Sequence, residues 1–252
     1  MMDELTLNEC IVPEWAAPAH VKAIVTTRAG GVSTGPYATL NMGFATADAA
    51  DAVRANRARL QGLLPHPPRW LKQVHGARVV CADGLADRPE ADASVAHATG
   101  TVCAILIADC LPVLFTNVSG TVVAAAHAGW RGLAAGVLDH TIADIGRSGV
   151  PASDLLAYIG PGIGPDAFEV GDDVYQAFVG RDSKAARAFK PHAPGKWLAD
   201  LVALARTALA RCGVTRVYGG SFYTYSDPAR FYSHRRDKIT GRMAALVWRA
   251  DR

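Results

Sequence analysis

Cysteine is sparse in this 252-residue sequence, with five in all and no CxxC pair. An odd, scattered set excludes a disulfide framework and the compact zinc-finger spacings, and leaves at least one thiol free. Long apolar runs are missing too. The densest stretch, Val102 to Phe115, is interrupted by Asp109 and Pro112 and falls short of the ~20 residues a bilayer crossing needs. Met1-Met2-Asp3-Glu4 carries neither a basic region nor an apolar signal core, so a cytoplasmic protein with no membrane partner is expected. Lysine is scarce, 6 against 20 arginines, and the net charge is only +3. No long basic stripe marks a nucleic-acid binder. The basic excess gathers in Arg230 to Arg252, with seven Lys or Arg against two Asp. That segment is either a solvated surface or an anion site.

What is present fits one folded unit. Half the residues are hydrophobic, and no repeat or linker divides the chain, so residues 1–252 read as a single domain with a core from about 21 to 248. Strands are expected at Val21–Thr27, Trp70–Val74, Ala77–Cys81, Val102–Ile107, Pro112–Thr116, Thr121–Ala126, Leu155–Ile159, Arg216–Tyr218 and Met243–Trp248. Helices are expected within Asp48–Leu64, with an Asp at its start, and over Trp130–Ile145 and Trp197–Arg211. Hairpins outnumber strict βαβ alternation, which predicts a mixed α/β domain and neither a barrel nor a doubly wound sheet.

Three strand ends carry reactive side chains: Gln73-Val-His75-Gly76, Ala108-Asp109-Cys110-Leu-Pro112 and Ala126-His127-Ala-Gly-Trp130-Arg131. His75, Cys110 and His127 together make a Cys/His₂ set. Three protein ligands with an open fourth position suit a catalytic zinc, whose bound water has a pKa lowered to ~7. Two other readings stand beside this one. Cys110 can be a small buried hydrophobe with satisfied histidines nearby, or a nucleophile with His75 or His127 as its base.

Several motifs in one order carry a resemblance. They are Thr26-Thr-Arg28-Ala-Gly-Gly-Val-Ser33, Leu40-Asn-Met-Gly43, the three strand-end segments, Gly160-Pro-Gly-Ile-Gly-Pro165, Phe168-Glu-Val-Gly171, Tyr232-Ser-His-Arg-Arg-Asp237 and Thr240-Gly-Arg242. From Val21 to Trp248 the chain resembles the YfiH/YlmD family, also called the laccase-domain or polyphenol oxidase family. The resemblance implies a single α/β/β/α layered domain and a zinc site of His75, Cys110 and His127. It also implies phosphorolysis of adenosine, inosine and methylthioadenosine, with accompanying adenosine deamination. Inorganic phosphate is then a co-substrate, and a monomer or weak homodimer is expected. The copper alternative is disfavoured by composition: a multicopper oxidase needs roughly ten histidines, mostly in His-x-His pairs. This chain has eight, and no two stand one residue apart. A purine- or metal-binding module is the non-enzymatic alternative.

Further candidates have a bland reading beside the functional one. Arg28, before Gly30-Gly31, and Arg131, at a helix start, suit phosphate or a structural ion pair. Asn41 and Gln73 can orient ribose or base, or cap turns. Asp109 can brace a histidine ligand or satisfy backbone groups. Glu169 is a candidate acid or base in a strand-like context. His97, His140 and His192 have no motif around them and read as surface or packing residues, while His20 and His66 lie beside prolines and read as loop residues. The Tyr232–Arg242 segment reads as structural, with Arg235 or Arg236 paired to Asp237.

Overall fold

The computed structural model describes residues 5–251. Two sheets lie face to face. The first runs β1 (Cys10–Ile11), β2 (Val21–Thr26), β13 (Met243–Arg249), β5 (Cys103–Ile107), with every pair antiparallel. The second runs β12 (Arg216–Gly219), β8 (Leu155–Ile159), β6 (Leu111–Asn117), β7 (Val123–Ala128), β4 (Ala93–Ala96), β3 (Val79–Cys81). Its central strands are antiparallel, and each edge strand is parallel to its neighbour. A small antiparallel sheet, β10 (Phe189–Ala193), β11 (Lys196–Ala199), β9 (Glu169–Gly171), stands apart.

Side-chain alternation builds the layers. On β13, Met243, Ala245 and Val247 face the second sheet, while Ala244, Leu246 and Trp248 face outward. That outward face is covered by α1 (Ala50–Gln61) through Leu60. The outer face of the second sheet packs on α3 (Val137–Gly146) and α5 (Leu201–Arg211), through Leu138, Ile145, Leu204 and Leu209, and α4 (Asp172–Val179) joins that cluster through Val174 and Phe178. Burying Leu138 or Leu209 contributes ~1.5–3 kcal/mol each. The layers therefore run α/β/β/α, as the resemblance implied.

Four local expectations differ. Trp70–Val74 is not a strand; it holds one isolated bridge, at Lys72, with another at Arg69 just before it. Its polar groups go elsewhere: the Gln73 side chain pairs with β5, and Val74, His75 and Gly76 donate to a carboxylate. Trp130–Ile145 is two helices, α2 (Trp130–Ala134) and α3, because Gly136 turns left-handed at φ +90°. Trp197 to Ala199 belongs to β11, and α5 starts only after Asp200, whose side chain caps Ala203 N–H. Helix α1 starts at Ala50 without a side-chain cap; Asp48 instead accepts from Ser33 and Asn41.

Candidate active site

The chain passes from the first sheet to the second through Ala108-Asp109-Cys110, between β5 and β6. Asp109 makes that sharp passage with φ +86°, a region unusual for residues with a side chain. Cys110 follows at the seam between the sheets. His127 is the penultimate residue of β7 and shares the inward face of Val123 and Ala125. His75 sits in the loop before β3, also at positive φ (+61°). The donor atoms of the three all lie within 4.8 Å of one another, and the two imidazoles meet edge to face at 4.9 Å.

One buried carboxylate organises this cluster. Asp92 Oδ1 accepts from His75 N–H at 2.9 Å and from His127 Nδ1–H at 2.8 Å. Its Oδ2 accepts from Val74 N–H at 3.1 Å and Gly76 N–H at 2.7 Å, and its carbonyl takes His127 N–H at 2.7 Å. With Nδ1 committed, His127 presents Nε2 to the cluster. Burial favours the neutral acid, yet the bonds from His127, Gly76 and Val74 hold Asp92 below the usual carboxylate value. Burial likewise opposes the Cys110 thiolate, but His127 and His75 bring it down to about 6. His127 is pushed the other way, to about 9, because Cys110 and Asp92 outweigh its desolvation. Without metal, thiolate and imidazolium thus favour each other across this pair.

The residues fit a metal ion. A Cβ at Gly129 would stand 2.7 Å from Cys110 Sγ and 3.4 Å from His75 Cδ2, so glycine keeps open the cradle on which both donors close. One thiolate and two imidazoles form a donor set suited to zinc or copper.

The cluster opens into a cavity of about 400 Å³, within the ~300–1,000 Å³ range of small-molecule sites. Leu71, Leu106, Ile163 and Phe168 supply apolar walls, while Arg88, Arg235 and Arg242 supply cationic ones beside His234. Of the residues singled out from sequence, His75, Cys110, His127, Gln73 and Asp109 line this cavity. Gln73 uses both ends of its amide on the Leu106 backbone, extending the edge of β5. Asn41 lies fully buried behind the wall, bonded to Thr46, Asp48 and the Gly43 and Arg242 amides.

Arg28 and Arg131 fall outside the lining. The Arg28 guanidinium donates to the Ala38 and Pro228 carbonyls and lies over the Tyr232 ring. Arg131 is exposed on α2 with its guanidinium 4.5 Å over Trp130. Asp109 does not brace a histidine: it accepts from Thr224 Oγ1 and Arg235 N–H, and Asp92 does the bracing. Glu169 is exposed and lies 3.5 Å from His192. His97 and His140 are at the surface, and His20 bonds the Gly120 carbonyl. The Tyr232–Arg242 segment is structural only in part. Arg236 pairs with Asp237, but His234, Arg235 and Arg242 face the cavity. The basic excess after Arg230 was the one sequence signal for them; Asp92 and Arg88 had none.

The family model described as multi-copper polyphenol oxidoreductase laccase matches residues 22–250. A purine nucleoside phosphorylase of Pseudomonas aeruginosa is 53% identical over 246 residues, covering 97% of this chain and 100% of the relative. Purine nucleoside phosphorylase YfiH of Escherichia coli is 49% identical over 245 residues, covering 96% and 99%. Among solved structures, a Neisseria meningitidis protein superposes with a TM-score of 0.94 at 50% identity, over 96% of this chain and 100% of that one. YlmD from Geobacillus stearothermophilus gives 0.85 at 34% identity, over 92% and 93%. With this fold, this Cys/His₂ cluster and these relatives, the chain belongs to the YfiH/YlmD laccase-domain family.

Proposed function

We propose that this protein is a zinc-dependent purine nucleoside phosphorylase acting on adenosine, inosine and methylthioadenosine, with adenosine deamination in the same cavity. The observation that carries the reading is that a metal-competent Cys/His₂ cluster and a cationic wall share one cavity of nucleoside scale. The names of relatives at 49–53% identity support the same class.

In phosphorolysis an oxygen of inorganic phosphate forms a bond to the anomeric carbon as the C1′–N9 bond breaks. The bond's electron pair leaves with the purine, which takes up a proton. In deamination water adds at C6 and ammonia departs, giving inosine. The apolar walls Leu71, Leu106, Ile163 and Phe168 take the faces of base and sugar and exclude bulk water. Asp92 keeps the proton of His127 on Nδ1, so that Nε2 stays a donor of electrons toward the cavity. His75, Cys110 and His127 would hold the metal, which would supply Lewis-acid polarisation of a reacting oxygen.

A second reading has one specific observation in its favour. Cys110, His127 and Asp92 stand in the order nucleophile, base and orienting carboxylate, as in a cysteine hydrolase. His75 as a third converging donor favours the metal. The copper oxidase reading is weaker, since the described residues hold one three-residue donor group where several coppers would need more.

The test is metal analysis of the purified protein beside product identification from adenosine with and without phosphate. The expected outcome is close to one zinc per chain, adenine plus ribose 1-phosphate only when phosphate is present, and inosine in either case. A metal-loaded protein that binds adenosine, gains thermal stability and forms no product would be a binding module instead.

A further inference from the structure

The cavity carries more positive charge than its own residues neutralise. Asp109 is the carboxylate in the lining, and both its oxygens are engaged: Oδ1 by Thr224 Oγ1–H and Oδ2 by Arg235 N–H, each at 2.6 Å. Three arginines remain, and each is moored along one edge by backbone carbonyls. Arg88 Nε donates to Leu71 at 3.0 Å, and Arg235 Nη1 donates to Glu169 at 2.8 Å. Arg242 Nη1 donates to Thr240 at 3.0 Å and Gly241 at 2.9 Å. The Arg235 guanidinium also lies over the Phe168 ring at 5.3 Å.

Such moorings fix long side chains that would otherwise lose rotamer freedom on binding a ligand. They also leave donors over. Among the described residues, both terminal nitrogens of Arg88 and the Nη2 groups of Arg235 and Arg242 have no protein acceptor. Guanidinium forks with open edges match the oxygens of a tetrahedral oxyanion.

We propose that Arg88, Arg235 and Arg242 form the phosphate subsite of this cavity, in place of Arg28 and Arg131. The inference rests on the phosphorylase reading above. Asp109 ties the subsite to the metal cluster. It holds the Arg235 backbone while its own peptide neighbour is Cys110, so an anion on Arg235 would sit at a fixed offset from the cluster that would hold the metal. This is what attack on the anomeric carbon requires, because a misplaced nucleophile loses the advantage of proximity.

The experiment compares metal-loaded wild type with Arg88→Met, Arg235→Met and Arg242→Met, and with Arg131→Met as the control outside the cavity. Phosphate KM is measured at saturating inosine, and inosine KM at saturating phosphate. Losing charge-assisted bonds should raise the phosphate KM roughly 10- to 100-fold in each cavity variant. Inosine KM should stay within about 3-fold, and Arg131→Met should change neither. Arg88 is exposed, so its variant folds even where Arg242→Met does not. A parallel thermal titration with inorganic phosphate should raise the wild-type Tm and leave the cavity variants unmoved. Unchanged phosphate KM in all three variants would overturn the subsite. If wild type yields no ribose 1-phosphate, the phosphorylase reading fails by itself. The titration then decides the subsite alone, since an equal phosphate shift in wild type and variants would overturn it.

Discussion

Asp92→Asn changes one atom and confronts the cluster with two bad choices. The carboxylate takes four donors, two on each oxygen, in a fully buried position. If the new amide nitrogen replaces Oδ2, it faces Val74 and Gly76 N–H, and two backbone donors lose their acceptor. If it replaces Oδ1, His75 N–H is orphaned, and His127 must accept at Nδ1. The imidazole proton then moves to Nε2, where it blocks the lone pair offered to the metal. Either arrangement leaves one or two buried donors unpaired, at ~1–3 kcal/mol each. For a chain of this size that corresponds to a Tm lowered by roughly 2–12 °C. Metal affinity should fall about 10- to 100-fold, as when other bracing partners of metal-bound histidines are removed. Chelator competition measures the affinity, and circular dichroism measures the melt. An Asp92→Asn protein that binds metal as wild type does, with an unchanged Tm, would refute the role given to this carboxylate.

Three other outcomes are expected. Gly129→Ala sets a methyl 2.7 Å from Cys110 Sγ at a backbone geometry that alanine adopts freely (φ −65°, ψ 159°). It should weaken metal binding at least about tenfold while leaving the metal-free melt nearly unchanged, and equal metal content would contradict the cradle. Metal-free protein should be alkylated by iodoacetamide at Cys110, about 6, well before Cys10 and Cys103, which burial pushes up to about 12. The rate should rise through pH 6, and metal should suppress it; rapid labelling with metal bound would favour the hydrolase reading. Folding raises His127 to about 9 and lowers Cys110 to about 6, so it transfers a proton from thiol to imidazole with almost no net uptake between pH 6.5 and 9. Taken singly, the His127 contribution fades as pH rises through 9 and that of Cys110 as pH falls through 6. Together they leave stability flat across that window. Metal must displace the His127 proton, so affinity should drop about tenfold per unit as pH falls from 9 to 7, and a flat profile would count against the assignment.

Strand positions were legible where burial imposes a plain pattern. Leu155–Ile159 is found at the expected bounds because it is wholly apolar and ends at Gly160. Helix bounds failed where one spacing suits two structures. Leu198 fits a helical stripe, yet Asp200 caps the helix and hands Trp197 to the sheet, where it stacks on Tyr175 at 4.1 Å. The clustering of His75, Cys110 and His127 was legible because each sits in a short motif at a strand end. Asp92 was not, since its bonds join segments 16 to 35 residues away and nothing local announces them. Arg242 reads as structural in the sequence for the same reason. Its role depends on which loop of a distant part of the chain it faces.

The passage at Asp109 makes the two sheets answerable to each other. Cys110 stands where the chain leaves one layer for the next, while His127 belongs to the second layer alone. Pro112 lies opposite His127 in the β6–β7 ladder, so the spacing between these donors follows that ladder, and Asp109 hands on to it any shift of the first sheet. A slip between Leu114 and Val247, deep in the apolar interface, would reach Cys110 through β6. Residues that never meet a substrate thus help tune the chemistry, and the interior of this molecule functions as the alignment jig for its reactive end.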